Sequence, residues 1–164
     1  MIISIKEIKN FIISILIPLL VGYASSFLSQ IISKVDTSTY YSQLIKPSFA
    51  PPSYVFPIAW SIIFILMGIS YYIINKNNDK QKVKDALFYY YLQLALNFVW
   101  SILFFGLDLR FTSMVDIILL LGVVIIMMLK FYKIDKRALY LNILYVLWLL
   151  YAGVLNYFIW IINR

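Results

Sequence analysis

Cysteine and histidine are both missing from this chain of 164 residues. Without them there are no disulfides, no thiolate or imidazole nucleophile, and no haem or zinc held by those ligands, so no metal site and no conventional catalytic site are expected. Charge is scarce as well: Asp, Glu, Lys and Arg together make up 13% of the residues, about half the share found in an ordinary soluble domain. Acids number only 7 against 14 basic residues. Apolar residues take up the room, at 63% of the chain.

The charges that remain fall between five apolar stretches, residues 11–33, 54–74, 86–106, 112–132 and 138–162. Each is near the length at which a helix crosses the hydrocarbon of a bilayer, about 20 residues for about 30 Å. The sequence therefore predicts an all-α integral membrane protein, a five-transmembrane-helix bundle forming one membrane domain over residues 1–164, with a structured loop over 34–53. The first run is too long for the apolar core of a signal peptide and has no small-x-small cleavage site, so it is expected to be retained. No internal repeat is visible.

The net charge of +7 does not indicate nucleic acid, because the basic residues lie at membrane edges and not on one soluble face. With a cytoplasmic amino terminus, Lys6, Lys9, Lys76, Lys80, Lys82, Lys84, Lys130, Lys133, Lys136 and Arg137 share one side, and Lys34, Lys46, Arg110 and Arg164 the other. The positive-inside bias then predicts N-in and C-out, with the loop outside. High Ile, Lys, Asn and Tyr usage and short tails point to a bacterial cell membrane.

Polar residues inside the spans are the candidates for function. Gly22, Ser25, Ser26 and Ser29 form a small-residue stripe on the first helix, which reads as a helix-packing surface. Gln93, Asn97 and Trp100 share a face of the third helix, continued by Phe104. Their amides need partners in an apolar medium, either on facing helices or in a ligand. On the fifth helix Asn142, Tyr145, Ala152 and Asn156 fall near one face with Trp148 beside it, where the small Ala152 leaves room next to large rings or serves packing. Trp160 reads as an interfacial anchor. Asp116, the one acid within an apolar span, is expected to point into the bundle. It is either a helix-end charge paired with Arg110 or a tyrosine, or the titratable group of a small proton-coupled exporter.

Four of the five prolines lie in "KPSFAPPSYVFPIAW", Lys46 to Trp60. Pro51 and Pro52 cannot continue a helix, yet proline suits a first helical turn, where its missing N–H has no partner to lose. The stretch thus stiffens the loop and starts the second span near Ser53. It places Phe49, Tyr54, Phe56 and Trp60 either as the lid or wall of a cavity or as ordinary interfacial aromatics.

The longer run "KPSFAPPSYVFPIAWSIIFILMGISYY" resembles the signature of the translocator protein family, the tryptophan-rich sensory proteins of bacteria and peripheral benzodiazepine receptors of animals. The matching positions are Lys46, Pro47, Phe49, Pro51, Pro52, Trp60, Leu66, Met67 and Gly68. The resemblance continues through "QLALNFVWSILFFG", Asp116 and "LYVLWLLYAGVLNYFIWIIN". Three positions depart from the family pattern: Tyr40-Tyr41 stands for a Trp-Tyr pair, Leu144 for a proline that would bend the fifth helix, and Ile161 for the arginine of animal members. The second departure leads to the expectation of a straighter fifth helix.

The resemblance implies a homodimer that binds protoporphyrin IX and other planar apolar molecules in a cavity beneath the loop, with the porphyrin as ligand and no resident cofactor. Some bacterial members are associated with light-dependent porphyrin breakdown, tetrapyrrole transport or sensing. Carried onto this chain, Trp60 and Trp148 would face the ring, with Asn97, Trp100, Ala152 and Leu155 lining the pocket. Phe49, Asp116 and Tyr145 complete the candidate ligand-binding set. An indole is also a chemically reasonable electron donor to a photoexcited ring, which makes Trp60 and Trp148 the candidates for a photoredox role.

Overall fold

The computed structural model describes residues 4–164, and it is helical almost throughout. The helices are α1 (Ile5–Ser33), α2 (Thr37–Gln43), α3 (Val55–Asn75), α4 (Lys80–Ser101), α5 (Arg110–Tyr132), α6 (Lys136–Leu141) and α7 (Ile143–Ile162). A π-helical turn, Ile102–Gly106, extends α4. Five units are long and apolar enough to cross a membrane: α1, α3, α4 with its π-turn, α5, and α6 with α7. The shortest, α3, has 21 residues, or about 30 Å of helix.

The expected spans are all present, but several start earlier than their apolar runs. The helices α1, α4 and α6 begin on polar caps, the side chains of Ser4, Asp79 and Asp135 accepting from the backbone N–H groups of Glu7, Lys82 and Arg137. A capped turn holds its shape in water, so the helix runs past the hydrocarbon edge that hydropathy marks.

The five units close into a ring in which α1 touches α3 and α4, α4 touches α5, α5 touches α6 and α7, and α3 completes the circle against α6 and α7. Contact between α1 and α3 is closest at Gly68, where an added Cβ would lie 2.5 Å from both Ser14 O and Ile15 Cα. Pro18 sits one turn on in α1 and lacks the N–H that would bond the Ser14 carbonyl. Between α1 and α4 the small-residue stripe packs as expected. Ser25 Oγ donates to the Phe98 carbonyl at 2.8 Å, and Ser29 Oγ lies 3.2 Å from Ser101 Oγ.

The fifth span is not one continuous helix. It breaks at Asn142, whose backbone adopts φ −97° and ψ 2°. Its side-chain Nδ2 donates to the Ala138 carbonyl at 2.7 Å and to Ser70 Oγ at 2.8 Å, while its backbone N–H moves to Leu139 O. The amide thus competes for the carbonyl that α-helical pairing would use. Leu144 stands where the family pattern has proline, yet the ladder is interrupted two residues earlier by the Asn142 side chain.

The loop over 34–53 contains α2, started by Asp36, whose carboxylate accepts from Thr39 N at 2.9 Å. Lys46 Nζ donates to the carbonyls of Tyr41, Ser42 and Leu44 at 3.0, 3.1 and 3.2 Å, which caps the negative end of α2. Tyr41 Oη donates to Pro51 O at 3.0 Å, folding the proline stretch back over α2.

Further ties fasten this lid to the bundle. Tyr40 Oη donates to Asp108, which stands at φ 56° in the turn before α5 and is also paired with Arg110. The Ile45 backbone N–H donates to Asn163 Oδ1 at 2.9 Å, and Asn163 Nδ2 donates to Ile45 O at 2.8 Å. Tyr151 Oη donates to Phe49 O at 3.1 Å. Burial pushes the Tyr41 phenol up to about 12, with Tyr151 adding to it. Burial, then the bond to Asp108, also raises Tyr40.

Gly68→Ala is expected to cost about 1–3 kcal/mol through overpacking, read as a lower unfolding midpoint in detergent. Gly122, where an added Cβ meets nothing within 4 Å, is the control, and Gly122→Ala is expected to be neutral or stabilising by up to about 1 kcal/mol. The lid has its own pH signature. Folding favours the neutral phenol, so the stability it contributes is full below about pH 10, the unfolded value. That contribution is lost as pH rises through about 12 at Tyr41. A tyrosinate titration of wild type minus Tyr41→Phe should show this late midpoint, and a midpoint near the free value would mean that the phenol is open to water.

Candidate functional site

Beneath the lid lies a cavity of about 560 Å³, bordered by α1, α2, α3 and α4. Its inner wall is Trp60 and Phe64 of α3 with Asn97, Trp100 and Phe105 of α4 and the π-turn. Gly22, Ser25 and Ser26 of α1 face them, and Thr37, Ser38, Tyr41 and Ser53 form the ceiling. The small residues that let α1 approach α4 also leave space for the cavity beside the rings of α3. The polar side chains in the lining carry hydroxyls, indole N–H groups and one amide, with no ionised side chain.

Trp60 is the centre of an aromatic cluster. It stacks on Phe64 at 5.4 Å and 25°, and its ring centroid is 6.3 Å from Trp100, 6.1 Å from Tyr145 and 6.3 Å from Trp148. Trp100 in turn stacks on Phe104 at 5.4 Å and 15°. Rings held from several sides keep one orientation toward the cavity, which makes a stacking surface for a flat ligand.

Two buried hydrogen-bond chains fix the α4 face. Asn97 Nδ2 donates to Tyr145 Oη at 3.0 Å, Tyr145 Oη donates to Gln93 Oε1 at 2.9 Å, and Gln93 Nε2 donates to Met67 Sδ at 3.0 Å. In the second, Trp100 Nε1 and Ser113 Oγ donate to Asn156 Oδ1 at 3.2 and 3.1 Å, and Asn156 Nδ2 donates to the Arg110 carbonyl at 3.0 Å. The amides predicted on α4 are thus bonded to facing helices. Asn97 and Trp100 serve both purposes, since they also line the cavity.

Of the residues predicted for the site, Trp60, Asn97 and Trp100 line the cavity, and so do Tyr54 and Phe56 of the proline-rich stretch. Tyr145 and Trp148 do not: they stand behind Trp60, Trp148 edge-on to it at 82° and with its indole N–H unpartnered among the described residues. Ala152 and Leu155 are buried in the core and form no part of the lining. Phe49 lies on the outside, edge-on to Tyr151 and Phe158. Trp60 fills the space between α3 and α7, and so separates these α7 residues from the cavity.

Asp116 points inward and is buried, as expected, but it is not at the cavity. Its helix, α5, lies across the ring from α1. The expected pairing with Arg110 or a tyrosine is not made. Asp116 Oδ2 has no partner among the described residues, while Arg110 is engaged by Asp108 and by the Asn163 carbonyl at 2.9 Å. The lining residues not singled out from the sequence include Phe64, Ser101, Phe105 and the ceiling hydroxyls. Their one sequence signal was the stripe beginning at Gly22, whose added Cβ would lie 2.1 Å from Phe64 Cε2.

The profile of the TspO/MBR family matches residues 14–161. Tryptophan-rich protein TspO of Archaeoglobus fulgidus is 38% identical over 159 residues, 96% of this chain and 99% of its own length. The protein of the same name from Chlorobaculum tepidum is 34% identical over 159 residues, 96% of this chain and 98% of its own. Human translocator protein is 32% identical over 123 residues, 74% of this chain and 73% of its own. The family match runs through the lid, the aromatic cluster and all five apolar helices, and the chain is therefore a multi-pass integral membrane protein that belongs to the TspO/MBR family.

Proposed function

We propose that the protein binds protoporphyrin IX and other flat apolar molecules in the cavity beneath the lid. The observation that carries this reading is the paired indole wall, Trp60 and Trp100, facing a space of about 560 Å³ with one amide, Asn97, at its edge. Flat π systems stack on indole, and a single amide orients a polar edge. In this reading the rings of Tyr145 and Trp148 support Trp60 from behind, and Ala152 and Leu155 set the packing of α7 against them. The protein sits N-in and C-out in a bacterial cell membrane as a homodimer, with the lid outside.

Light-dependent breakdown of the bound porphyrin is the associated chemistry. Trp60 would be the first electron donor, and Trp148, 6.3 Å away, would stand next in line. A proton-coupled transport route through Asp116 is not favoured, since that carboxyl group lies on the far side of the ring from the cavity.

Dark titration of the purified protein with protoporphyrin IX, followed by tryptophan quenching, is expected to saturate. Trp60→Phe and Trp100→Phe should each weaken binding about two- to tenfold, the loss expected when a stacked aromatic contact is reduced. Quenching that never saturates, or is unchanged in both variants, would reject the site. Under illumination, Trp60→Phe and Trp148→Phe should slow bleaching of the bound ring, and unchanged rates in both would exclude the redox role.

A further inference from the structure

The cavity has an open side, and the residues that line it and are also exposed show where. On α1 these are Leu16, Leu20 and Tyr23, which are 47%, 62% and 73% exposed. On α3 they are Pro57 and Ser61, both exposed. All five lie within helices long and apolar enough to cross the membrane, α1 over Ile5–Ser33 and α3 over Val55–Asn75. Ser38 and Tyr54 at the lid edge also line the cavity and are exposed, so the opening runs from the lid edge down the gap between α1 and α3, and the part between the two helices faces hydrocarbon. On the side away from the lid it is closed by the backbone contact at Gly68.

The water-facing end is fastened. Tyr40 holds the lid to Asp108, Asn163 holds both backbone groups of Ile45, and Ser38 Oγ donates to Ser53 Oγ at 2.8 Å across the ceiling. A path beneath the lid must break several of these bonds, whereas the lateral gap requires none to break. The lining agrees with the lateral path. It carries no ionised side chain, and a charged ligand would leave water for an apolar medium with nothing to pair with.

We propose that the cavity is filled sideways, through the gap between α1 and α3, by uncharged ring molecules dissolved in the lid-side half of the bilayer. This rests on the cavity being a flat-ligand site, as set out above. Exchange then depends on the width of the gap and on the ligand's solubility in lipid. The lid closes one end of the site and is not its door.

The test uses the full chain reconstituted in phosphatidylcholine vesicles, with protoporphyrin IX dimethyl ester as probe and stopped-flow tryptophan quenching as readout. Ser61→Phe, which narrows the gap without adding an indole, is expected to slow association and dissociation together by at least fivefold. Leu20→Ala, which widens the gap, should quicken both rates, and it provides a second reading should Ser61→Phe fold poorly. Tyr40→Phe/Asn163→Ala, which removes the lid's ties to Asp108 and at Ile45 without touching the cavity lining, should leave the rates within twofold. The free diacid, which must carry two carboxylates into hydrocarbon, should associate at least tenfold more slowly than the ester. Rates indifferent to both gap variants, rates raised by untying the lid, or equal rates for diacid and ester would each overturn the proposal. No saturable quenching by the ester in wild type would instead reject the flat-ligand site itself, a result distinct from a binding site reached by another path.

Discussion

Lipid tails are as apolar as the leucines between these helices, so burying leucine against leucine does little to hold the bundle together. What remains is close backbone approach and the pairing of polar groups that hydrocarbon cannot solvate. Both are concentrated on the inner faces. Gly68 against Ser14 sets the distance of α1 from α3, and Ser25 on the Phe98 carbonyl sets that of α1 from α4. The chains through Tyr145 and Asn156 then bind α4 to α7 and α5. The cavity is what is left over where small side chains on α1 meet large rings on α3 and α4.

This arrangement makes the aromatic wall rigid at little risk to its polar atoms. The N–H of Trp100 has an acceptor in Asn156, and the amide of Asn97 is held by Tyr145. A ligand can therefore meet the ring faces and the free side of an amide without stripping the bundle of bonds it needs. An unsatisfied amide in such a medium would cost a few kcal/mol. These side chains consequently hold the helices together and shape the wall at once.

The five spans were legible in the sequence because hydrocarbon imposes a length and a composition that few other settings do. The run beginning at residue 54 sits within one residue of α3, where prolines define its start. Starts set by polar caps at Ser4, Asp79 and Asp135 were not visible to hydropathy, and α2 was hidden in a loop because a single aspartate begins it. The break at Asn142 depends on a side chain choosing a carbonyl four residues back, which spacing does not announce. For the site, Trp60, Asn97 and Trp100 were readable as rings and an amide on inward faces. Which side of Trp60 the space lies on was not readable, since it follows from how α1 and α7 divide the volume around one indole. The set expected on α7 therefore falls behind that ring.

The lid joins parts of the chain that are made at very different times. Ile45 waits for Asn163, a partner 118 residues further on, and Phe49 waits for Tyr151, 102 residues further on. Synthesis delivers these positions in order, at about 5–20 residues per second. The spans α1, α3, α4 and α5 can thus be in the bilayer while the loop between α1 and α3 still lacks the anchors that hold it down. Closure of the site in this sense follows insertion of those spans, and Tyr151 and Asn163 act as its fasteners.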